Sequence, residues 1–478
     1  MNIIGKRVAP WLLVIVGLAL QGEMPLWAGQ LEDLLLENKQ ITIDQWVKLK
    51  AEEEKREAKA LEESRGVGDV PVRERWYERM SIRGYTQLRY NHTINNEFLT
   101  SQQGDRSISP NNEFFLRRAR VIFSGQPHER VFFYIQPEFA GLVNGTEQVA
   151  VLRDFYADLF LTENKEWRIR AGLSKVPYGF ENLQSSQNRL ALDRDDALNS
   201  GTPNERDLGL FLYYAPTTVR ERFRRLVDSG LKGSGDYGML GIGVYNGQGP
   251  NARDFNKNKH IVFHSMFPFE FANGQILQIG MDAYTGQFNV QTTATTPNPP
   301  LASNNFQPAV PVVTNNGSYL DERIAWHFVL YPQPIGIQAE YTIGRGPQLN
   351  EARTEVVEGS LRGGYVQLFY NYRCDTFCQS IFPFIRWQEY FGGRKAEENA
   401  PRNTVRETEV GIEYRFNRAL ELTVLYTWTQ RNMPNPLGNP AFGSAGDCLN
   451  PQFSVPCATT PYQLQSGNLL RFQLQWNF

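Results

Sequence analysis

At 478 residues the chain is long enough for two or three soluble domains or for one large barrel. A formal net charge of −2 and a pI near 6.3 supply no global argument for a nucleic-acid partner, and none is expected. Mean hydropathy of −0.44 excludes a polytopic helical membrane protein. It does not exclude a membrane barrel, where each lipid-facing residue has a polar neighbour and the average washes out. Aromatic residues are plentiful, with 30 Phe, 21 Tyr and 9 Trp, as the interfacial girdles of a barrel require.

In chain order, Lys6 and Arg7 precede an apolar run from Trp11 to Leu20, and small residues follow around Ala28 and Gly29. This layout reads as a secretory signal over 1–28, with a run too short to span a bilayer. Residues 29–65 read as a short helical or coiled-coil segment on the periplasmic side. Leu31, Leu34 and Leu35 come first, Asp44 stands where it can cap the next helix, and a charged run from Glu52 to Glu63 follows. Residues 66–79 read as a linker.

From Met80 to Phe478 the helical period gives way to period-two segments, each with one apolar and one polar face. They fall at 80–92, 113–125, 130–140, 149–162, 167–177, 206–215, 235–246 and 259–267. The rest fall at 275–287, 321–331, 335–345, 360–371, 381–391, 406–416, 420–430 and 467–478. The fold class expected is all-β, a transmembrane antiparallel β-barrel of about sixteen strands. The final segment alternates Leu470, Phe472, Leu474, Trp476 and Phe478 with Arg471, Gln473, Gln475 and Asn477, so it reads as the closing strand. Connections alternate too: 93–112 and 178–205 are long, while 126–129, 163–166 and 417–419 are short. An up-and-down barrel with long external loops and short periplasmic turns requires this alternation. The long, basic stretch 216–234 breaks it, which leaves a margin of one hairpin in the count.

Apolar rows such as Ile324, Trp326, Phe328 and Leu330 are expected to meet lipid, where an Arg or Lys at the bilayer midplane would cost about 2–4 kcal/mol. Charges of opposite parity therefore belong to the lumen. They form a basic wall of Arg83, Arg89, Arg118, Arg120, Arg168 and Arg170, with Arg471 placed beside Arg83 and Arg89. Glu340, Glu409 and Glu413 gather on an acidic wall opposite. Such walls would set up a transverse field that favours hydrated solutes; the plainer account is that these charges only keep the lumen wet. Arg153 falls on the lipid face by this phase, so either it snorkels at an interface or the phase is wrong there.

The loop 178–205 is the candidate constriction. It carries Arg189, Asp193, Arg194, Asp195 and Asp196 between Lys175 and Arg206, and an ordinary surface loop is the alternative. Cys374 with Cys378, and Cys448 with Cys457, are expected as local disulfides of an exported protein. No metal or cofactor is expected, since His residues are scarce and none neighbours a cysteine pair. Gly233 to Gly238 matches a dinucleotide-binding pattern but precedes a strand, so it reads as a turn. His260 and His264 share a strand face yet stand too far apart to chelate unaided, and no nucleophile motif points to an enzyme.

Several segments resemble the phosphate-selective porin O/P family. They are Gly84-Tyr85-Thr86-Gln87, Arg117-Arg118-Ala119-Arg120 and Leu152-Arg153-Asp154-Phe155-Tyr156, followed by Arg168-Ile169-Arg170-Ala171-Gly172 leading to Lys175-Val176-Pro177 and then Arg206-Asp207-Leu208-Gly209. The stretch from Leu36 through Lys50 is similar to the helical module that precedes the barrel in many relatives. The likeness runs from about Leu31 to the C-terminus and is densest up to Tyr214. It implies a homotrimeric sixteen-stranded porin in the lipid of a Gram-negative-type outer membrane, with a third loop that narrows the pore. It also implies small anions, inorganic phosphate among them, moving along an arginine ladder to constriction lysines. The chain departs from that pattern, because no Lys lies between Tyr178 and Glu205. The function expected is a porin for small hydrophilic solutes. The alternative is a structural or adhesive barrel with a plugged lumen and a periplasmic tether.

Overall fold

Alternation of apolar and polar side chains is realised as a ring of strands in a computed structural model of the protein. It describes residues 79–95, 112–143, 146–202, 206–292, 313–351, 354–374, 376–434 and 462–478. All lie in the unit Trp76–Phe478. The signal, the helical segment and nearly all of the linker fall outside the described residues, as do Cys448 and Cys457.

The first strands are β1 (Met80–Asn95), β2 (Phe114–His128), β3 (Val131–Val143), β4 (Thr146–Phe160) and β5 (Trp167–Lys175). Helices α1 (Phe180–Leu183) and α2 (Asp196–Gly201) follow before β6 (Arg206–Tyr214), and α3 (Thr217–Asp228) before β7 (Leu240–Tyr245). Next come β8 (His260–Glu270), β9 (Ile276–Asn289), β10 (Ser318–Leu330), β11 (Ile335–Leu349) and β12 (Val356–Tyr370), which Tyr372–Arg373 extends. The ring ends with β13 (Ser380–Gly393), β14 (Arg402–Arg415), β15 (Leu420–Pro434) and β16 (Tyr462–Asn477).

Each strand pairs antiparallel with the next, and β16 returns to β1 with Leu474 opposite Leu88 and Asn477 opposite Tyr85. The seal extends to the last residue, where Gly84 and Phe478 exchange backbone hydrogen bonds of 2.8 and 3.0 Å. A Cβ at Gly84 would collide with the Phe478 ring and the Arg120 carbonyl, so only glycine fits there. Closure leaves every strand with two neighbours and no edge for another chain to pair with.

The two faces are inverted relative to a soluble protein. On β10, Ala325, His327 and Val329 are buried while Ile324, Trp326 and Phe328 are exposed. Apolar side chains thus face outward to lipid and polar ones inward. The closed order of pairing bears out the sixteen-stranded reading, with short turns at one end except between β6 and β7.

The stretch that broke the alternation forms α3 and costs no hairpin. Val219, Phe223 and Leu226, spaced by helical turns, are buried, while Arg224 and Arg225 stay exposed. The buried stripe packs on inward residues of neighbouring strands, Met266, Ile276 and Val329. The Glu166 carboxylate accepts from the Thr217 backbone N–H at 2.8 Å and from its hydroxyl at 3.1 Å, which satisfies donors at the helix start.

Register shifts interrupt several strand pairs, and two of them move charged residues. Between Gln87 and Leu88 the β2 partner skips from Arg118 to Leu116, and Arg117 joins Arg118 on the lumen side. Between Gln136 and Pro137 the β4 partner skips from Asp154 to Leu152. Arg153 sits in that second bulge and interacts with the buried Glu138 carboxylate, which corrects the lipid-facing placement expected from strict alternation. Arg471 stands opposite Asn91 and near Arg89, but exposed Arg83 lies further towards the short-turn end, so Arg83 is not its neighbour.

Candidate pore constriction

The segment between β5 and β6 runs into the lumen. Gly179 has a φ of +82°, a left-handed conformation suited to glycine, and turns its N–H to the Asp282 carboxylate of β9 at 2.7 Å. The Glu181 backbone N–H donates to Glu340 of β11 at 3.2 Å, and the Glu181 carboxylate accepts from Arg386 of β13 at 2.5 and 3.0 Å. Lys175 Nζ donates to the carbonyls of Asn182, Gln184 and Leu183 at 2.9, 2.9 and 3.3 Å, so this lysine holds the bend of the loop. Ser186 reaches the opposite side, with its Oγ 2.6 Å from the Tyr85 hydroxyl of β1. Arg323 of β10 donates to Ser200 Oγ at 2.7 Å, which fixes α2. Asp195 caps that helix by accepting from the Leu198 N–H at 2.9 Å.

Most lumen charges meet a counter-charge rather than standing as two bare walls. Arg120 pairs with Glu138 at 2.6 Å, Arg170 with Asp158 at 2.7 Å, and Arg206 with Asp154 at 2.9 Å. Arg168 is shared between Asp236 at 2.8 Å and Asp158 at 3.5 Å. On the acidic side Glu413 pairs with Lys232 at 2.5 Å and Arg415 at 3.0 Å, while Glu409 lies 3.8 Å from both Arg386 and Arg471. Asp196 pairs with Arg431 at 3.3 Å and more closely with Arg394. Arg194 donates to Asn182 Oδ1 at 2.7 Å and stays within the loop.

One flank differs. Asp193, at the tip of the loop, receives Arg89 at 2.7 Å, Arg117 at 3.2 Å and, closest, Arg471. Burial alone would raise the Asp193 carboxyl, but Arg89, Arg471, Arg117 and Arg118 hold it well below the usual carboxylate range. Arg118 donates to Gln87 Oε1 at 2.7 Å, and among the described residues no carboxylate pairs with it. Buried Arg189 adds positive field at Arg118. A cleft beside Asp193, of about 10 Å³, is lined by Asn199, Gln388, Glu407, Glu409, Thr427 and Arg431 among others.

Strand parity missed some lumen groups. Arg117 depends on a bulge, although two adjacent arginines in one strand were a signal that alternation fails there. Lys232 and Lys395 enter the lumen from connections, where periodicity says nothing; Lys395 pairs with Asp321. His264 and His327 converge on Asp282, at 2.6 and 3.7 Å, through cross-strand register. Among the described residues no group of His, Cys, Asp or Glu is placed to hold a metal ion. Cys374 and Cys378 are joined by a disulfide in the turn between β12 and β13.

The sequence profile of a family described as phosphate-selective porin O and P matches residues 88–441. No curated protein matches. Solved structures with a similar fold include the outer membrane channel DcaP of Acinetobacter baumannii, at 12% identity over 84% of this chain and 97% of that one, with a TM-score of 0.46. Salmonella typhi OmpF in complex with daunomycin is 13% identical over 84% of this chain and 97% of that one, with a TM-score of 0.47. An anion-selective porin from Comamonas acidovorans is 6% identical over 84% of this chain and 99% of that one, with a TM-score of 0.43.

Proposed function

The chain belongs to the phosphate-selective porin O and P family, and from that premise we propose that it passes small anions, inorganic phosphate among them, through a narrow lumen. A porin of this family is a transport protein of the outer membrane and not an enzyme. The observation that carries the anion reading is the charge on the flank of β1, β2 and β16. There five arginines, Arg89, Arg117, Arg118, Arg120 and Arg471, gather around Asp193 and Glu138, with Glu409 at 3.8 Å from Arg471 and Glu407 further off. A surplus of fixed positive charge in a low-dielectric wall concentrates anions and speeds their entry.

Asp193 has a part of its own in this reading. Its carboxylate occupies the arginines in the absence of solute, and a passing anion exchanges with it, so no arginine is stripped of partners during transit. Lys232 and Lys395 supply the constriction with ammonium groups that the loop itself lacks. The signal over 1–28 and the helical segment over 29–65 belong to the same proposal, as export and periplasmic parts, and so does the trimer.

Single-channel recording in planar bilayers tests it. Ohmic conductance, a reversal potential shifted towards the anion in a KCl gradient, and block by phosphate are the expected results. A cation-shifted reversal potential would leave a general porin. The depth to which the loop and α3 fill the lumen favours the second reading, a plugged structural or adhesive barrel, and complete absence of conductance would decide for it.

A further inference from the structure

The outer wall carries a groove of about 850 Å³ across β8 to β13. Its floor is formed by short side chains, Ala283 and Ser360, and its rims by Phe263, Ile324, Ile343 and Phe391. These positions have outward parity and Phe263, Ile324 and Ile343 are exposed, so the groove opens to lipid and not to the lumen.

Two arginines stand at one end of it. The outward row of β11 runs Ile335, Ile337, Ala339, Tyr341, Ile343 and then Arg345; that of β12 runs Tyr370, Leu368, Val366, Gly364 and then Arg362. Register places Arg345 opposite Ser360 and Ile343 opposite Arg362, so the two guanidinium groups are diagonal neighbours on one face. Like charges at that spacing repel. Both are exposed, and among the described residues neither guanidinium group forms a hydrogen bond or ion pair. Glu322 lies opposite Arg345 in register but makes no ion pair with it among the described residues. Glu389 of β13 is a diagonal neighbour of Arg362 and likewise forms no ion pair with it among the described residues, so the two guanidinium groups at the edge of the apolar band remain open to an anion at the depth of a lipid headgroup.

We propose that this groove seats an acyl chain of a lipid whose anionic phosphate headgroup bridges Arg345 and Arg362. Charge complementarity at the rim and apolar lining below it match the two ends of one such molecule. The proposal concerns the outer wall and does not depend on the anion selectivity of the pore.

Native mass spectrometry of the full chain in detergent tests it, with dioleoyl phosphatidic acid as the probe and dioleoylglycerol as the same chains without phosphate. Phosphatidic acid should be retained over dioleoylglycerol. Arg345→Gln with Arg362→Gln should lower its retention by about fivefold, the factor for roughly 1 kcal/mol of charge interaction, while single-channel conductance stays unchanged. Ala283→Phe fills the floor and should lower retention with both arginines in place. Inorganic phosphate should not displace the lipid. Equal retention by wild type and the double variant would overturn the proposal. So would displacement by inorganic phosphate, or a double variant that changes the number of chains per particle instead of the lipid bound, since a second copy would then be the occupant.

Discussion

On the flank of β1, β2 and β16 the inward loop meets the wall through charge, with Asp193 set among Arg89, Arg117 and Arg471. On the flank of β8 to β10 it meets the wall through packing: Phe180 joins the apolar stripe of α3, Met266 and Val329, and Tyr178 lies edge-on to Tyr284 at 4.9 Å. The same alternating strands thus build a wet side and a filled side. Strand parity settles only which residues point inward; whether they meet water or another segment depends on what the connections bring. Packing against a dry flank holds the loop in place, and under the proposed function the charged flank is where a solute would pass.

The sharpest way to break this contrast is to unfasten the loop. Arg386→Ala strands the buried Glu181 carboxylate, and loss of one partner from a buried ion pair costs about 3–5 kcal/mol. The loop should detach, seen as a lower urea midpoint in detergent and larger, noisier single-channel conductance. Phe223→Ala removes a ring from the filled flank, at a cost of about 3 kcal/mol, and should lower the unfolding midpoint with selectivity unchanged. An altered reversal potential in that variant would mean that the two flanks are not separate.

Smaller effects should fall on the wet flank. Arg118→Ala with Arg120→Ala removes two cations, and Asp193→Asn removes the loop's counter-ion; each charge is worth about 1 kcal/mol to a solute in water, roughly fivefold in permeability ratio. The first variant should lower anion preference and the second should raise it, both read from reversal potentials. Unchanged selectivity in both would take these arginines out of the pathway.

The smallest effect expected is on pH. Burial, and then the nearby Glu181 carboxylate, push Asp195 up to about 7. A raised carboxyl pKa gives stability that is complete below the ordinary value of about 4 and is lost as pH rises through about 7. Unfolding midpoints should therefore fall across that window in the wild type, and the fall should be shallower in Asp195→Asn. A steeper fall in the variant would refute the assignment.

Much of the barrel was legible because strand alternation is local. Leu470, Phe472 and Leu474 announce an outward face whatever they pair with, and the segment 80–92 became β1 as read. Where alternation fails the reading fails with it: Arg117 and Arg153 lie at bulges, and a bulge is an agreement between two strands that neither sequence states alone. The basic stretch at 216–234 was legible as an exception but not as α3, since its apolar stripe matters only once Met266 and Val329 are beside it.

Residue order alone carries most of the strands, their inward and outward faces away from the bulges, the ring of about sixteen and the loop to watch. Period and length carry that information residue by residue. The inward turn of the loop, the hold of Asp193 on three arginines and the reach of Lys232 and Lys395 into the lumen come from the folded ring. Those are contacts between groups far apart in the chain. Coulomb pairing and burial select them only after closure of the ring has brought the walls within reach of each other.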